Sequence, residues 1–178
     1  KNVVVAVVDS GSPSTTSTAW TTSDFVSGGY DFIRDANNRD GNGIDNNPTD
    51  PSASNSDTND HSHGTHVSTT IAAKNDGYNF NGFAVKVLPI RIADSGHSTV
   101  LTAYDVAQGM RYASGLSNDS GTTYSDTSNP VKAINLSLTA GTCAYWSDVI
   151  SDVRSSGISI IAASGNAQED DPGRESAP

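Results

Sequence analysis

The chain has 178 residues, of which 34% are hydrophobic and only 17% charged, and a formal net charge of −10. That length and apolar content suit one globular domain with a sizeable core rather than a disordered chain, and the acidic balance would repel phosphate backbones, so no nucleic acid partner is expected. No apolar run approaches the roughly 20 residues that cross a bilayer, so no membrane partner is expected either.

The first element in chain order is residues 3–8, an unbroken apolar run that delivers Asp9-Ser10-Gly11. Similar runs follow at 85–92, 131–138 and 158–163, each bounded by Gly, Pro, Asn or Asp. Because they are continuously apolar rather than alternating, they predict strands of a parallel sheet buried on both faces. Helical spacing separates them at about 64–74, 100–114 and 146–155; in the second stretch Leu101, Tyr104, Val106, Ala107 and Met110 can form one apolar face, with Gly115 as a C-terminal stop. Alternating strands and helices predict an α/β fold, a three-layer parallel sheet with helices on both faces. Residues 10–61 and 116–130, rich in Asp, Asn, Ser and Gly, fit no regular element. Connections this long in a compact domain are usually functional or held by something such as a metal. No internal repeat or interdomain linker is visible, so 1–178 reads as part of a single domain.

Ligands of an open parallel sheet gather outside the carboxyl ends of its strands. Asp9 lies at such an end, and a carboxylate there can accept the Nδ1 hydrogen of a histidine and stabilise the imidazolium that forms when the ring takes a proton. Its alternative role is to cap a turn. The segment Asp60-His61-Ser62-His63-Gly64-Thr65-His66-Val67 supplies the histidine: His63 opens a predicted helix, and Gly64 lets another chain approach closely. The same cluster admits a second reading, a zinc-binding hydrolase using His61, His63 and His66 with Asp60, although the His-Glu-x-x-His spacing of metalloproteases is absent.

Four blocks together resemble the subtilisin-like serine proteases, or subtilases, in order: Val5-Ala6-Val7-Val8-Asp9-Ser10-Gly11, His63-Gly64-Thr65-His66-Val67, Ile134-Asn135-Leu136-Ser137-Leu138 and Ala162-Ala163-Ser164-Gly165-Asn166. The first two are specific and the others much less so. The resemblance implies a subtilisin-like fold and a catalytic set in which Asp9 orients His63, His63 acts as general base and Asn166 donates to the oxyanion. Asn166 could equally be a turn residue after Gly165. The resemblance also implies that Ser137, Leu138 and Thr139 pair with an extended polypeptide substrate as an added strand, although the family usually has Gly where this chain has Thr139. Those residues could instead belong to a buried core strand.

The family's Gly-Thr-Ser-Met nucleophile block is not found after Asn166, and Ser176 has neither its lead nor a following helix. The chain is therefore expected to be the N-terminal portion of a single catalytic domain, incomplete at its C-terminus, whose serine lies on a C-terminal portion present as a second chain. Its alternative is a non-catalytic subtilase-like module or inert fragment. Cys143 could be a nucleophile but precedes Asn166, the wrong order for the family; it is expected to pair with a cysteine elsewhere or to pack in the core. Asn38, Asp40 and Asn42 alternate before Gly43 and, with Asp45 and Asp50, resemble the opening of a looped structural calcium site; a solvated acidic loop is the alternative. The start at Lys1 lacks a signal-peptide pattern, so a targeting segment is expected to have been removed. Acidic charge with abundant Asn, Ser and Thr fits a secreted, extracellular protein better than a cytosolic one.

Overall fold

A computed structural model describes residues 3–13, 25–36, 40–51, 62–73, 82–94, 101–139 and 144–165. Strand β1 spans Val4–Asp9, β2 Tyr30–Asp31, β3 Lys86–Arg91, β4 Val131–Leu136 and β5 Ser159–Ala162. Helices α1, α2 and α3 span His63–Ala72, Ala103–Ala113 and Trp146–Ser155. All the strand pairings are parallel, in the order β2-β3-β1-β4-β5. The order places β1 at the centre, with Val4 to Asp9 level with Lys86 to Arg91 of β3 and Val7 level with Asn135 of β4.

Side chains alternate across a strand, and the two sets on β1 meet different helices. Val4, Ala6 and Val8 join Leu88, Ile90 and Ile134 in the larger core, which α2 and α3 cover with Val106, Met110, Val149 and Val153. Val7 and Val87 face the other way, onto Ala72, Val67 and Ile71 of α1. The expected three layers are therefore present, with α1 on one face and α2 and α3 on the other. The chain bends back at the expected place after α2: Gly115, at φ +72°, ends the helix in the left-handed conformation that glycine adopts without steric cost. The start of α2 falls at Ala103, later than the pattern suggested, because the Thr102 side chain accepts from the Asp105 backbone N–H at 3.0 Å and caps the helix there.

Two expectations are corrected. Residues 10–61 contain β2, which extends the sheet beyond β3; two residues carry no periodicity from which it could have been read. Residues 158–163 do not form a strand buried on both faces: β5 is an edge strand, and Ile161 is 52% exposed, because among the described residues no strand pairs with its outer side.

Helix α2 comes close to the sheet through Gly109. A Cβ there would lie 2.8 Å from Ile90 Cγ2 and 3.2 Å from Ile92 Cγ2, distances that force β-branched side chains to move. Gly109→Ala is expected to lower stability by about 1–2 kcal/mol, the overpacking cost exceeding the roughly 1 kcal/mol of helix propensity gained. The check is a lower midpoint in urea at unchanged slope.

Candidate active site

Strand β1 ends at the upper rim of the sheet, where Asp9 is 4% exposed and Ser10 2%. The backbone then turns through Gly11, at φ +104°, a conformation that a side chain would strain. Helix α1 begins directly over this turn. Its Gly64 has no room for a side chain: a Cβ would lie 2.6 Å from the Gly11 carbonyl oxygen and 2.9 Å from the Gly11 nitrogen, both rigid backbone atoms. Glycine at both positions lets the helix start against the strand end.

That approach brings His63 to Asp9. Nδ1 of His63 lies 2.7 Å from Oδ1 of Asp9, so the neutral ring carries its hydrogen on Nδ1 and leaves Nε2 as the free base. Asp9 Oδ1 also accepts the Ser10 backbone N–H at 2.7 Å, while Oδ2 is buried with no hydrogen-bond partner among the described residues. The His63 side chain is half exposed, so its reactive nitrogen can meet a ligand. Its pKa is raised above the ordinary 6.5, chiefly by the hydrogen bond to Asp9; partial burial opposes this and the Asp9 charge reinforces it.

The same turn holds a second polar chain. Ser10 Oγ–H donates to Oδ2 of the fully buried Asp50 at 2.8 Å, and Ser10 Oγ accepts the Gly64 backbone N–H at 2.9 Å. Asp50 is held level with the turn by its backbone N–H, which donates to the Ser12 carbonyl at 2.7 Å.

Continuing the register of β4 against β1 by two residues puts Ser137 beside Asp9. Ser137, Leu138 and Thr139 therefore leave the sheet on the rim that carries the Asp9–His63 pair. They are not part of a buried core strand, since β4 ends at Leu136. Ser137 Oγ accepts the Asn135 side-chain amide at 2.9 Å, Leu138 packs on the larger core, and Thr139 is exposed. Leu138 and Leu136 line a small apolar cavity with Met110, Trp146 and Ile160.

The acidic residues proposed for calcium do not converge. Asp40 pairs with Nη1 of Arg91, which is fully buried and also holds Asp31. Asp45 exchanges backbone hydrogen bonds with Asp31, and its Oδ1 accepts the Asn47 N–H at 2.7 Å. Asp50 accepts the Ser10 hydroxyl, and the backbone N–H of Asn42 donates to Asp40 Oδ1 at 3.4 Å. Among the described residues Asp40, Asp45 and Asp50 thus have separate partners. Among the described residues no group of three His, Cys, Asp or Glu side chains could hold a metal. Asn38, Asp60, His61, Cys143, Asn166 and Ser176 lie outside the described residues.

Sequence reasoning gave no site role to Ser10, Asp31 or Arg91 and read Asp50 only as a calcium ligand. Ser10 follows Asp9 directly and could have been suspected; Asp50 meets Ser10 across 40 residues and Arg91 meets Asp31 across 60, pairings that leave no local signal. Burial pushes the pKa of Asp31 up to about 7, with Arg91 pulling it the other way.

The family model described as the subtilase family matches residues 1–177. A solved structure titled as proteases from Pseudoalteromonas arctica PAMC 21717 is 31% identical, with a TM-score of 0.70 over 92% of this chain and 50% of the other. The chain thus spans about half the length of that relative. No curated protein matches the chain.

The titrations have a definite sign. A folded pKa raised above 6.5 means that protonated His63 adds stability that is complete below 6.5 and disappears as pH rises through the folded value. Asp31 acts in the same direction, its contribution being lost as pH rises from 3.8 through about 7. Stability from urea unfolding is therefore expected to fall across this range, and Asp9→Asn to remove the part due to His63, read as a flatter profile above about pH 6.

Proposed function

From the chain's membership of the subtilase family, we propose that it is the N-terminal portion, residues 1–178, of a single catalytic domain of a secreted serine endopeptidase, with the nucleophilic serine on sequence outside it. The observation that carries this reading is the 2.7 Å contact between His63 Nδ1 and the buried Asp9 carboxylate, at the carboxyl end of a central parallel strand. A half-exposed imidazole fixed in this tautomer presents Nε2 to a hydroxyl arriving from the rest of the domain. His63 takes the serine proton as the hydroxyl oxygen attacks the peptide carbonyl, and the Asp9 charge stabilises the imidazolium. His63 then returns the proton to the leaving amine, giving an acyl-enzyme, and repeats the cycle with water to release the acid.

Within this reading Asn166 donates to the oxyanion, and the segment Ser137-Leu138-Thr139 holds the polypeptide substrate in an extended form. Support for the second role is its position on the rim beside Asp9. Calcium has a structural part in this reading and takes no part in the chemistry. No described helix is long and apolar enough to cross a membrane.

In the protein carrying its C-terminal portion, a fluorophosphonate probe is expected to label a serine outside residues 1–178, located by intact mass and peptide mapping. His63→Ala should abolish labelling and lower kcat by about four to six orders of magnitude, the scale known for triad members of subtilisin. Asn166→Leu should lower kcat by roughly 10² to 10³ with little change in KM. A folded protein that takes no label and cleaves no peptide would instead identify a non-catalytic subtilase-like module.

A further inference from the structure

We infer that Ser10 and Asp50 are positioning residues that set the alignment of the His63 ring on Asp9, through a buried relay from Asp50 to the Ser10 hydroxyl to the Gly64 backbone N–H. The inference rests on the Asp9–His63 reading given above.

The relay follows from an inventory of donors and acceptors. The first N–H groups of a helix have no partner within it, and Ser62, in the capping position of α1, makes no side-chain capping bond. The Gly64 N–H, one residue after His63, is satisfied instead from another part of the chain, by Ser10 Oγ at 2.9 Å. A hydroxyl has one hydrogen to give. An ionised carboxylate can only accept, so Asp50 takes the Ser10 hydrogen at 2.8 Å and thereby turns the oxygen lone pairs toward Gly64. Without Asp50 the hydroxyl could rotate. With it, the direction is determined, and the negative charge lies near the positive end of the α1 dipole.

Ser10 grips both halves of the pair. Its backbone N–H holds Asp9 Oδ1 at 2.7 Å, the oxygen that meets His63, and its hydroxyl holds the residue next to His63. One residue thus references the acid and the base to each other over a span of a few atoms. Ser10 and Asp50 are 2% and 0% exposed, so water does not replace a lost partner readily. Gly64, pressed onto Gly11, lets the helix slide only away from the strand. Loss of the relay releases movement in that one direction, and it lengthens the His63–Asp9 contact.

The test uses the full-length protein with labelled histidine, following by NMR the pKa of His63 and its low-field Nδ1 proton. Asp9→Asn is the control for the underlying reading and should lower the His63 pKa. Ser10→Ala is expected to lower it by about half a pH unit or more and to broaden the Nδ1 proton signal. Ser10→Thr, which keeps the hydroxyl, is expected to restore both. Asp50→Asn, which keeps the shape but weakens the bond to Ser10, should give a smaller fall and serves if Ser10→Ala does not fold. If Asp9→Asn lowers the pKa while the relay variants only reduce the melting temperature, the positioning role is overturned and the Asp9–His63 reading stands. If Asp9→Asn itself changes nothing, both fail.

Discussion

The structure turns on the close contact between the first turn of α1 and the end of β1. Two glycines, Gly11 and Gly64, let backbone meet backbone where a Cβ would fall 2.6 Å from a carbonyl oxygen. From that contact follow the Asp9–His63 hydrogen bond, the link from Ser10 to Gly64 and the raised His63 pKa. A side chain at Gly64 would separate the elements and lengthen all of these together, because they share one geometric origin. The energetic cost of assembling buried polar groups is met by pairing: Asp9 against imidazole and a backbone N–H, and Asp50 against a hydroxyl.

A second polar centre holds the long segment that precedes α1. Arg91 ends β3, is wholly buried, and pairs with Asp31 at the end of β2 and with Asp40. Asp45 closes on Asp31 through backbone hydrogen bonds, and residues 48–50 run beside Ser12. Burying a guanidinium is costly, and the carboxylates offset that cost. The result is a loop shaped from inside, which carries Asp50 to the turn after β1. Arg34 spans Asp105 and Asp119 and lies 4.2 Å above the Tyr104 ring, fastening the same segment to α2. Much of the acidic character in this region is thus spent on internal cations rather than left to solvent.

The sheet is unequal across its width. Strand β1 is shielded on both faces by α1 and α2, whereas β5 stands at an edge with Ile161 half exposed and among the described residues has a neighbour on one side only. The Asp9–His63 pair sits at the end of the central strand. Open parallel sheets gather ligands outside the carboxyl ends of their strands.

Four of the five strands and all three helices among the described residues, and the α/β class, were legible from the sequence, since long unbroken apolar runs such as Val4 to Val8 and a helical stripe such as Val106, Ala107 and Met110 are local patterns. Asp9 and His63 were legible as candidates through the resemblance of their blocks, Val5 to Gly11 and His63 to Val67, to the subtilases, whereas strand end and helix start alone left a turn cap and a zinc ligand open. The two-residue β2 was not, and neither was the use of the acidic loop: spacing alone suggested ligands for one ion, whereas folding gave Asp40 to Arg91, Asp45 to Asn47 and Asp50 to Ser10. By itself the sequence determined periodicity, turn chemistry and the identity of the titratable groups, all of which act over a few residues. Only the tertiary structure decided which carboxylate meets which donor, because partners 40 to 60 residues apart are chosen by strand order and register, and a buried charge keeps whatever partner that packing brings within hydrogen-bond reach.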